Sequence, residues 1–257
     1  MAELILENVS KRFGGLLAVN ALDLKVPEGK ILSLIGPNGA GKTTVFNMIT
    51  GVYPPTEGAI SYKGNKLNDL RSNRIISQGI ARTFQNIRLF KSMTVLENVQ
   101  VGMHCRTNSG ALRALLKTRH EKREEKEIIV KSQEILNFMG LIGHQNDYAS
   151  NLAYGEQRRL EIARAMATQP ELLLLDEPAA GMNPKETAEL MDLILKLRDT
   201  GLTLFLVEHD MRLVMGISEV VVVLDYGQKI AQGTPKEIQQ NETVIEAYLG
   251  TGAKSQN

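Results

Sequence analysis

The chain has one cysteine, Cys105, among 257 residues, so no internal disulfide can form, which fits a reducing compartment. There is no Cys-x-x-Cys pair and no Cys/His cluster, so nothing points to structural zinc. Neither sign of charge dominates: 30 Lys and Arg stand against 29 Asp and Glu, for a formal net charge of +1. Without a basic excess there is no global field for nucleic acid, which is not expected as a partner. Long apolar runs are missing as well. The best, over residues 220–224, is far shorter than the roughly 18 residues that mark a membrane-crossing helix. Residues 1–15 carry acids early and lack an uninterrupted apolar core, so they do not read as a signal peptide. A soluble, cytoplasmic chain is the expectation, and any service to a membrane would run through partners. No internal repeat or low-complexity linker divides the sequence. One large α/β domain or two small ones could each bury a core at this length.

What is present is more specific. The run Gly36-Pro37-Asn38-Gly39-Ala40-Gly41-Lys42-Thr43, continued by Thr44, fits G-x-x-x-x-G-K-[ST]. It follows the apolar run 31–35 and precedes a helix-compatible stretch over 43–49, the strand–loop–helix setting that such a phosphate cradle requires. Gly36, Gly39 and Gly41 let the backbone bend and approach an anion without Cβ clashes. Successive N–H groups and the helix N-terminus then face the phosphates. Lys42 adds an ammonium for the β- and γ-phosphates, and the Thr43 hydroxyl can ligate Mg²⁺. The expected ligand is a nucleoside triphosphate.

Strands are expected over 4–9, 18–26, 31–35, 58–63 and 80–84, with turns at Gly14-Gly15 and Pro27-Glu28-Gly29. The short apolar runs 172–175, 203–207 and 219–224 suit strands buried on both faces. Helical periodicity dominates 95–139 and returns over 155–168 and 184–200, where Pro184 suits a first helical turn and Gly201 a helix end. A helical block thus interrupts a mixed α/β chain. The charge-dense stretch 117–131 mixes both signs and reads as a solvated helix face. The polar tail after Gly250 reads as frayed.

Two further pieces stand at strand ends. The run 171–175 leads into Asp176-Glu177-Pro178. A carboxylate there can reach Mg²⁺ beside the cradle, a role assigned to Asp176, while Glu177 can orient or deprotonate the attacking water. His209, after the strand expected over 203–207, is delivered toward the same edge and is a candidate γ-phosphate partner. His104, His120 and His144 lack such a setting.

The run Leu152-Ala153-Tyr154-Gly155-Glu156-Gln157-Arg158-Arg159-Leu160 opens the helix expected over 155–168. It resembles the Leu-Ser-Gly-Gly-Gln signature of the ATP-binding cassette (ABC) ATPases. In that family this helix end completes the ATP site of the opposite subunit, which would recruit Ala153, Gly155 and Glu156. The resemblance covers essentially the whole chain. It implies that Phe13 stacks on adenine, that Gln85 senses Mg²⁺ and the γ-phosphate, and that His209 is the switch histidine. It also implies the fold: an α/β P-loop NTPase, with a RecA-like core and antiparallel β subdomain over 1–84 and 155–257. A helical subdomain over 85–154 is inserted. Three departures stand out. The signature serine is Ala153, the glycine after it is Tyr154, and the glutamine is Glu156. Losing one hydrogen bond to a charged group costs roughly 1.5–3 kcal/mol at most. The loop that usually reads Ser-Ala-Leu-Asp is here Ala180-Gly181-Met182-Asn183.

Within the family, residues 179–184, the segment 79–104 and the closing Tyr248-Leu249-Gly250 are similar to ATPase subunits of branched-chain amino-acid importers. That likeness implies two integral membrane permease subunits and a second ATPase subunit, identical or paralogous. A solute-binding protein would take part indirectly, and the chain would sit peripherally on the cytoplasmic face of the membrane. Arg88, Leu89, Phe90 and Met93 are candidates for the floor of the groove that receives a permease helix; the plainer reading packs the last three inside the helical subdomain. Two rivals remain. One is the same engine with another cargo, such as lipopolysaccharide export, which a Leu-Ser-Gly-Gly-type signature would favour. The other is a soluble ABC protein of DNA repair or translation, for which the paired cassettes, long coiled coil or basic extensions are missing.

Overall fold

The computed structural model describes residues 2–104 and 119–253. Cys105, Lys117, the middle of the expected helical block and the last four residues of the tail lie outside the described residues. Two units emerge, one made of Met1–Arg82 with Glu171–Asn257 and the other of Thr83–Pro170.

In the first unit, alternation of apolar and polar residues builds an antiparallel hairpin from β1 (Ala2–Phe13) and β2 (Leu16–Pro27). Val19, Leu22, Leu24 and Val26 point inward while their neighbours stay exposed or half-buried, the period of a strand with one wet face. A third strand, β4 (Glu57–Tyr62), pairs with β1, and the two-residue β5 (Asn65–Lys66) completes a four-stranded sheet. The second sheet has six strands: β3 (Ile31–Ile35), β6 (Ile80–Arg82), β7 (Leu172–Asp176), β8 (Thr203–Val207), β9 (Val220–Asp225) and β10 (Gln228–Gly233). Their order is β10-β9-β3-β8-β7-β6, parallel throughout except for the antiparallel edge strand β10. β3, β7 and β8 are buried along their whole length, which explains why they read as unbroken apolar runs rather than alternating ones.

Register decides where the chemistry goes. Leu34 of β3 pairs with Val207 of β8, and Val207 pairs with Asp176 of β7. The C-terminal ends of these three strands therefore lie side by side, the edge at which open parallel sheets bind ligands. Between the sheets, α1 (Lys42–Ile49) buries Val45, Phe46, Met48 and Ile49, and the rings of Phe46 and Phe205 meet edge to face at 4.9 Å. On the other side, α6 (Pro184–Asp199) begins as its sequence dictates. The Asn183 side chain accepts from the N–H groups of Lys185 and Glu186, and Glu186 returns a bond to the Asn183 N–H at 2.9 Å, a reciprocal cap with Pro184 in the first turn. Gly201, at φ 92°, follows its end.

In the second unit, α3 (Val95–His104), α4 (Arg119–Phe138) and α5 (Tyr154–Met166) carry the structure. The unit runs to Pro170, so α5 belongs with the helices rather than with the core in which the expected boundary placed it. Close packing is the reason: a Cβ on Gly102 of α3 would strike the Arg164 carbonyl of α5. Among the described residues, no helix is long and apolar enough to cross a membrane.

Candidate functional site

The phosphate-loop residues leave β3 at Gly36, whose φ of 148° and whose close approach to the Leu224 carbonyl leave no room for a Cβ. At the other end of the loop, Gly41 has φ 101°, and a Cβ there would stand 2.5 Å from the Ala18 carbonyl. Those two positions turn the chain back on itself and hand it to α1. Lys42 is buried, at 8% exposure, and curls over the loop, donating to the carbonyls of Gly36 at 2.7 Å and Pro37 at 3.0 Å. Burial pulls its pKa below the ordinary lysine value, with Glu177 first and Asp176 second opposing that shift through their charge. A desolvated cation held over the loop only by backbone carbonyls is one whose charge a polyphosphate would offset.

An open cleft of about 400 Å³ lies along the loop. Asn38, Gly39, Ala40, Gly41, Lys42, Thr43 and Thr44 line it, together with Glu177. Phe13, Leu16, Leu17 and Ala18 from the first hairpin give it an apolar end, and Tyr226 also lines it. Phe13 is 44% exposed and steadied by an edge-to-face contact with Tyr53 at 5.2 Å, so its ring is held at the rim rather than packed in the core.

Asp176 ends β7 almost fully buried and accepts a 2.6 Å bond from the Arg82 guanidinium. Glu177 follows in the left-handed region at φ 45°, with its N–H donating to Val207 at 2.8 Å. Such a conformation at a non-glycine residue costs on the order of 1–3 kcal/mol and persists where surrounding structure enforces it. His209 Nδ1 lies 3.7 Å from the Glu177 carboxylate. Thus the loop residues, Asp176, Glu177 and His209 share the first unit, at the C-terminal ends of β3, β7 and β8, and Phe13 of the first hairpin lines the same cleft as the loop and Glu177.

Gln85, Ala153, Gly155 and Glu156 stand in the second unit. Gln85 is exposed, and its carbonyl accepts from Arg158 at 2.8 Å. Ala153 sits at the N-cap of α5 without any side-chain cap, while Glu156 turns back to accept from the Ala153 N–H at 3.0 Å. Glu156 therefore satisfies its own helix terminus, within 3.5 Å of His144 Nε2. The Gly155 N–H belongs to the same first turn, where an anion is favoured.

Three supporting residues escaped the motif reading. Arg82 bridges β6 to α1 and β7, donating to Asn47 at 2.7 Å and Thr50 at 3.0 Å as well as to Asp176. Its one signal was a cation closing the otherwise apolar strand Ile80–Arg82. Glu208, fully buried, accepts from the N–H groups of Ala179 at 2.9 Å, His209 at 2.8 Å and Asp210 at 3.1 Å. It ties the loop after Glu177 to the loop bearing His209. Arg158, also fully buried, holds the Phe84 and Gln85 carbonyls and pairs with Glu161 at 2.8 Å. Burial raises the Glu161 pKa, against the opposing pull of Arg158. The arginine and glutamate three residues apart on one helix were the available signal, but their burial was not.

For Mg²⁺ the candidate donors in this unit are hard oxygens, the exposed Thr43 hydroxyl and the Asp176 carboxylate, as that ion prefers. Among the described residues no group of three His, Cys, Asp or Glu could hold a metal by itself. Phosphate oxygens would have to supply the remaining positions.

Comparison with known proteins agrees with this geometry. The ABC transporter family matches residues 19–180, and the family of branched-chain amino acid ATP-binding cassette transporters matches residues 228–254. The high-affinity branched-chain amino acid transport ATP-binding protein LivG of Salmonella typhimurium is 53% identical over 96% of this chain and 97% of its own. The corresponding BraF of Pseudomonas aeruginosa is 51% identical over 97% and 99%. A solved structure of the ADP conformation of an ATP-binding cassette of an ABC transporter superposes with a TM-score of 0.86 at 32% identity, covering 97% of this chain and 99% of the other. With a phosphate loop, the strand-end Glu177 and an exposed aromatic on one cleft, and relatives matched over almost the whole chain, the chain belongs to the ATP-binding subunits of ABC transporters.

Proposed function

We propose that this chain is the ATP-hydrolysing subunit of an importer for branched-chain amino acids. The observation that carries the reading is the pairing of a nucleotide cleft with a C-terminal segment, residues 228–254, matched by the branched-chain family itself. Identity of 53% to LivG over almost the whole chain supports the same cargo and tells against lipopolysaccharide.

In this reading Phe13 stacks on adenine and the loop from Gly36 to Thr44 wraps the phosphates. Lys42, already desolvated, holds the β- and γ-phosphate charge. Thr43 and Asp176 would hold Mg²⁺, with Gln85 a further candidate ligand, and the ion would supply positive charge to offset that of the phosphate oxygens. Glu177 orients the attacking water and accepts its proton, while His209, whose Nδ1 lies 3.7 Å from that carboxylate, meets the γ-phosphate. Ala153, Gly155 and Glu156 lead the helix end that covers the nucleotide of a second subunit. Without a serine hydroxyl, that contact relies on backbone N–H groups and the helix dipole.

The partners that follow are two integral membrane permeases and a second ATPase subunit, a copy or a paralogue. A solute-binding protein outside the membrane takes part indirectly. Arg88, Leu89, Phe90 and Met93 face a permease helix; none of the four is buried, and Phe90 is 46% exposed. The chain would then sit peripherally on the cytoplasmic face. Purification from its native cell in mild detergent, with mass spectrometry, tests this assembly. Two multi-spanning permeases and a second ATPase are expected. Recovery with soluble nucleic-acid machinery, or without membrane partners under ATP-trapping conditions, would refute the transport role.

A further inference from the structure

The turn joining β9 to β10 has Tyr226 and Gly227 at its centre, at φ 42° and 79°, between the paired residues Asp225 and Gln228. Two successive positive φ values define a type I′ hairpin turn, whose first central position favours Asn, Asp or Gly. A tyrosine is poorly suited to that backbone. Packing does not account for it either, because the side chain is 81% exposed. The turn itself is held firmly. The Gly227 N–H donates to the Ala40 carbonyl at 3.0 Å, and its own carbonyl accepts from the Asn20 N–H at 2.9 Å. A Cβ on Gly227 would come within 2.7 Å of the Ala18 carbonyl.

Those bonds fix Tyr226 between the phosphate loop and the strand that carries Ala18, on the lining of the cleft it shares with Phe13 and Leu16. Three exposed large apolar side chains thus gather on one cleft. An unfavourable residue at a rigid, exposed turn beside a binding cleft is better explained by a ligand than by the fold.

We infer that Tyr226 is a nucleoside-contacting residue, its ring forming a second aromatic wall for the base and ribose alongside Phe13. The inference rests on the nucleotide reading of the cleft. The plainer alternative is a solvated tyrosine at a hairpin tip, which would leave ligand binding untouched.

Three measurements on the purified full-length chain and its Tyr226→Asn variant separate these readings. They are ADP affinity by titration calorimetry, inorganic tripolyphosphate affinity by competition, and melting temperature. Asn fits the turn, so the variant should melt at the wild-type temperature or above. ADP should bind about fivefold or more weakly, since base–aromatic contacts are of that size, while tripolyphosphate affinity stays unchanged. Tyr226→Phe should keep the ADP affinity. Unchanged ADP binding in Tyr226→Asn would overturn the inference. So would an equal loss for tripolyphosphate, which would place the contact on the phosphates, or a loss matched by a lower melting temperature. Failure of the wild-type chain to bind either ligand would instead overturn the nucleotide reading itself.

Discussion

Replacing Arg82 by Met tests how the buried end of β7 is held. In the wild-type protein the Arg82 guanidinium and the Asp176 carboxylate meet at 2.6 Å, with side-chain exposures of 7% and 5%. Removing one partner of such a pair strands a buried charge, which typically costs about 3–5 kcal/mol. Arg82 also donates to Asn47 and Thr50 and lies 5.5 Å from the Phe46 ring centre, so those contacts go too. Two features limit the loss. Methionine refills much of the volume, and Lys42 is near enough to feel the Asp176 charge. The expected cost is therefore at the lower end, about 3 kcal/mol, or a fall in melting temperature on the order of 6–12 °C. Urea unfolding of Arg82→Met, Asp176→Asn and the double variant gives the coupling directly. The double variant should be more stable than the two single losses predict, by about 1.5 kcal/mol or more, because neither charge is then buried alone. A cost below about 1 kcal/mol for Arg82→Met, or strict additivity, would refute the reading that this buried pair holds the end of β7.

Other consequences follow from the same geometry. Glu177→Gln should retain ATP binding and lose turnover by about a hundredfold or more; wild-type phosphate release in that variant would remove Glu177 from the chemistry. Lys42 has its pKa lowered by burial, and phosphate charge favours its protonated form, so nucleotide binding should raise that pKa. ATP affinity should accordingly be full at lower pH and decline once pH passes the depressed value, below the ordinary lysine range, with proton uptake on binding there. Calorimetry in buffers of different ionisation enthalpy measures that uptake, and its absence in the wild type would contradict the role. Ala153→Ser supplies the missing N-cap of α5 and should stabilise the protein by about 0.5–2 kcal/mol, read as a higher urea midpoint; a lower one would mean the cap position is misassigned.

Much of the core was legible because its signals are local. β3 and β8 were expected at their observed limits, since a fully buried strand is a bare apolar run bounded by turn residues. The phosphate loop and the acid pair after β7 are contiguous in sequence, so their chemistry needed no tertiary information. What escaped depends on partners far apart in the chain. Arg82 and Asp176 are brought together only by the pairing of β6 with β7, and Glu208 looks like one more polar residue until Ala179 arrives above it. Edge strand β10 went unread because its half-exposed residues lack a clean alternation, although it delivers the turn that carries Tyr226. The extent of the second unit, Thr83–Pro170, is not legible locally for a related reason: α5 opens with a nucleotide signature, yet it buries Arg158 and Glu161 to hold the 84–88 segment.

The central claim, that ATP turnover in this chain drives amino-acid import, is tested most directly by leucine uptake. Cells lacking the chain would receive either the wild type or Glu177→Gln at equal expression, and entry of labelled leucine would be followed at low external concentration. The account predicts that the wild type restores uptake and that Glu177→Gln, though it still binds ATP and its partners, does not. Equal uptake with both, or uptake indifferent to the chain's presence, would contradict it.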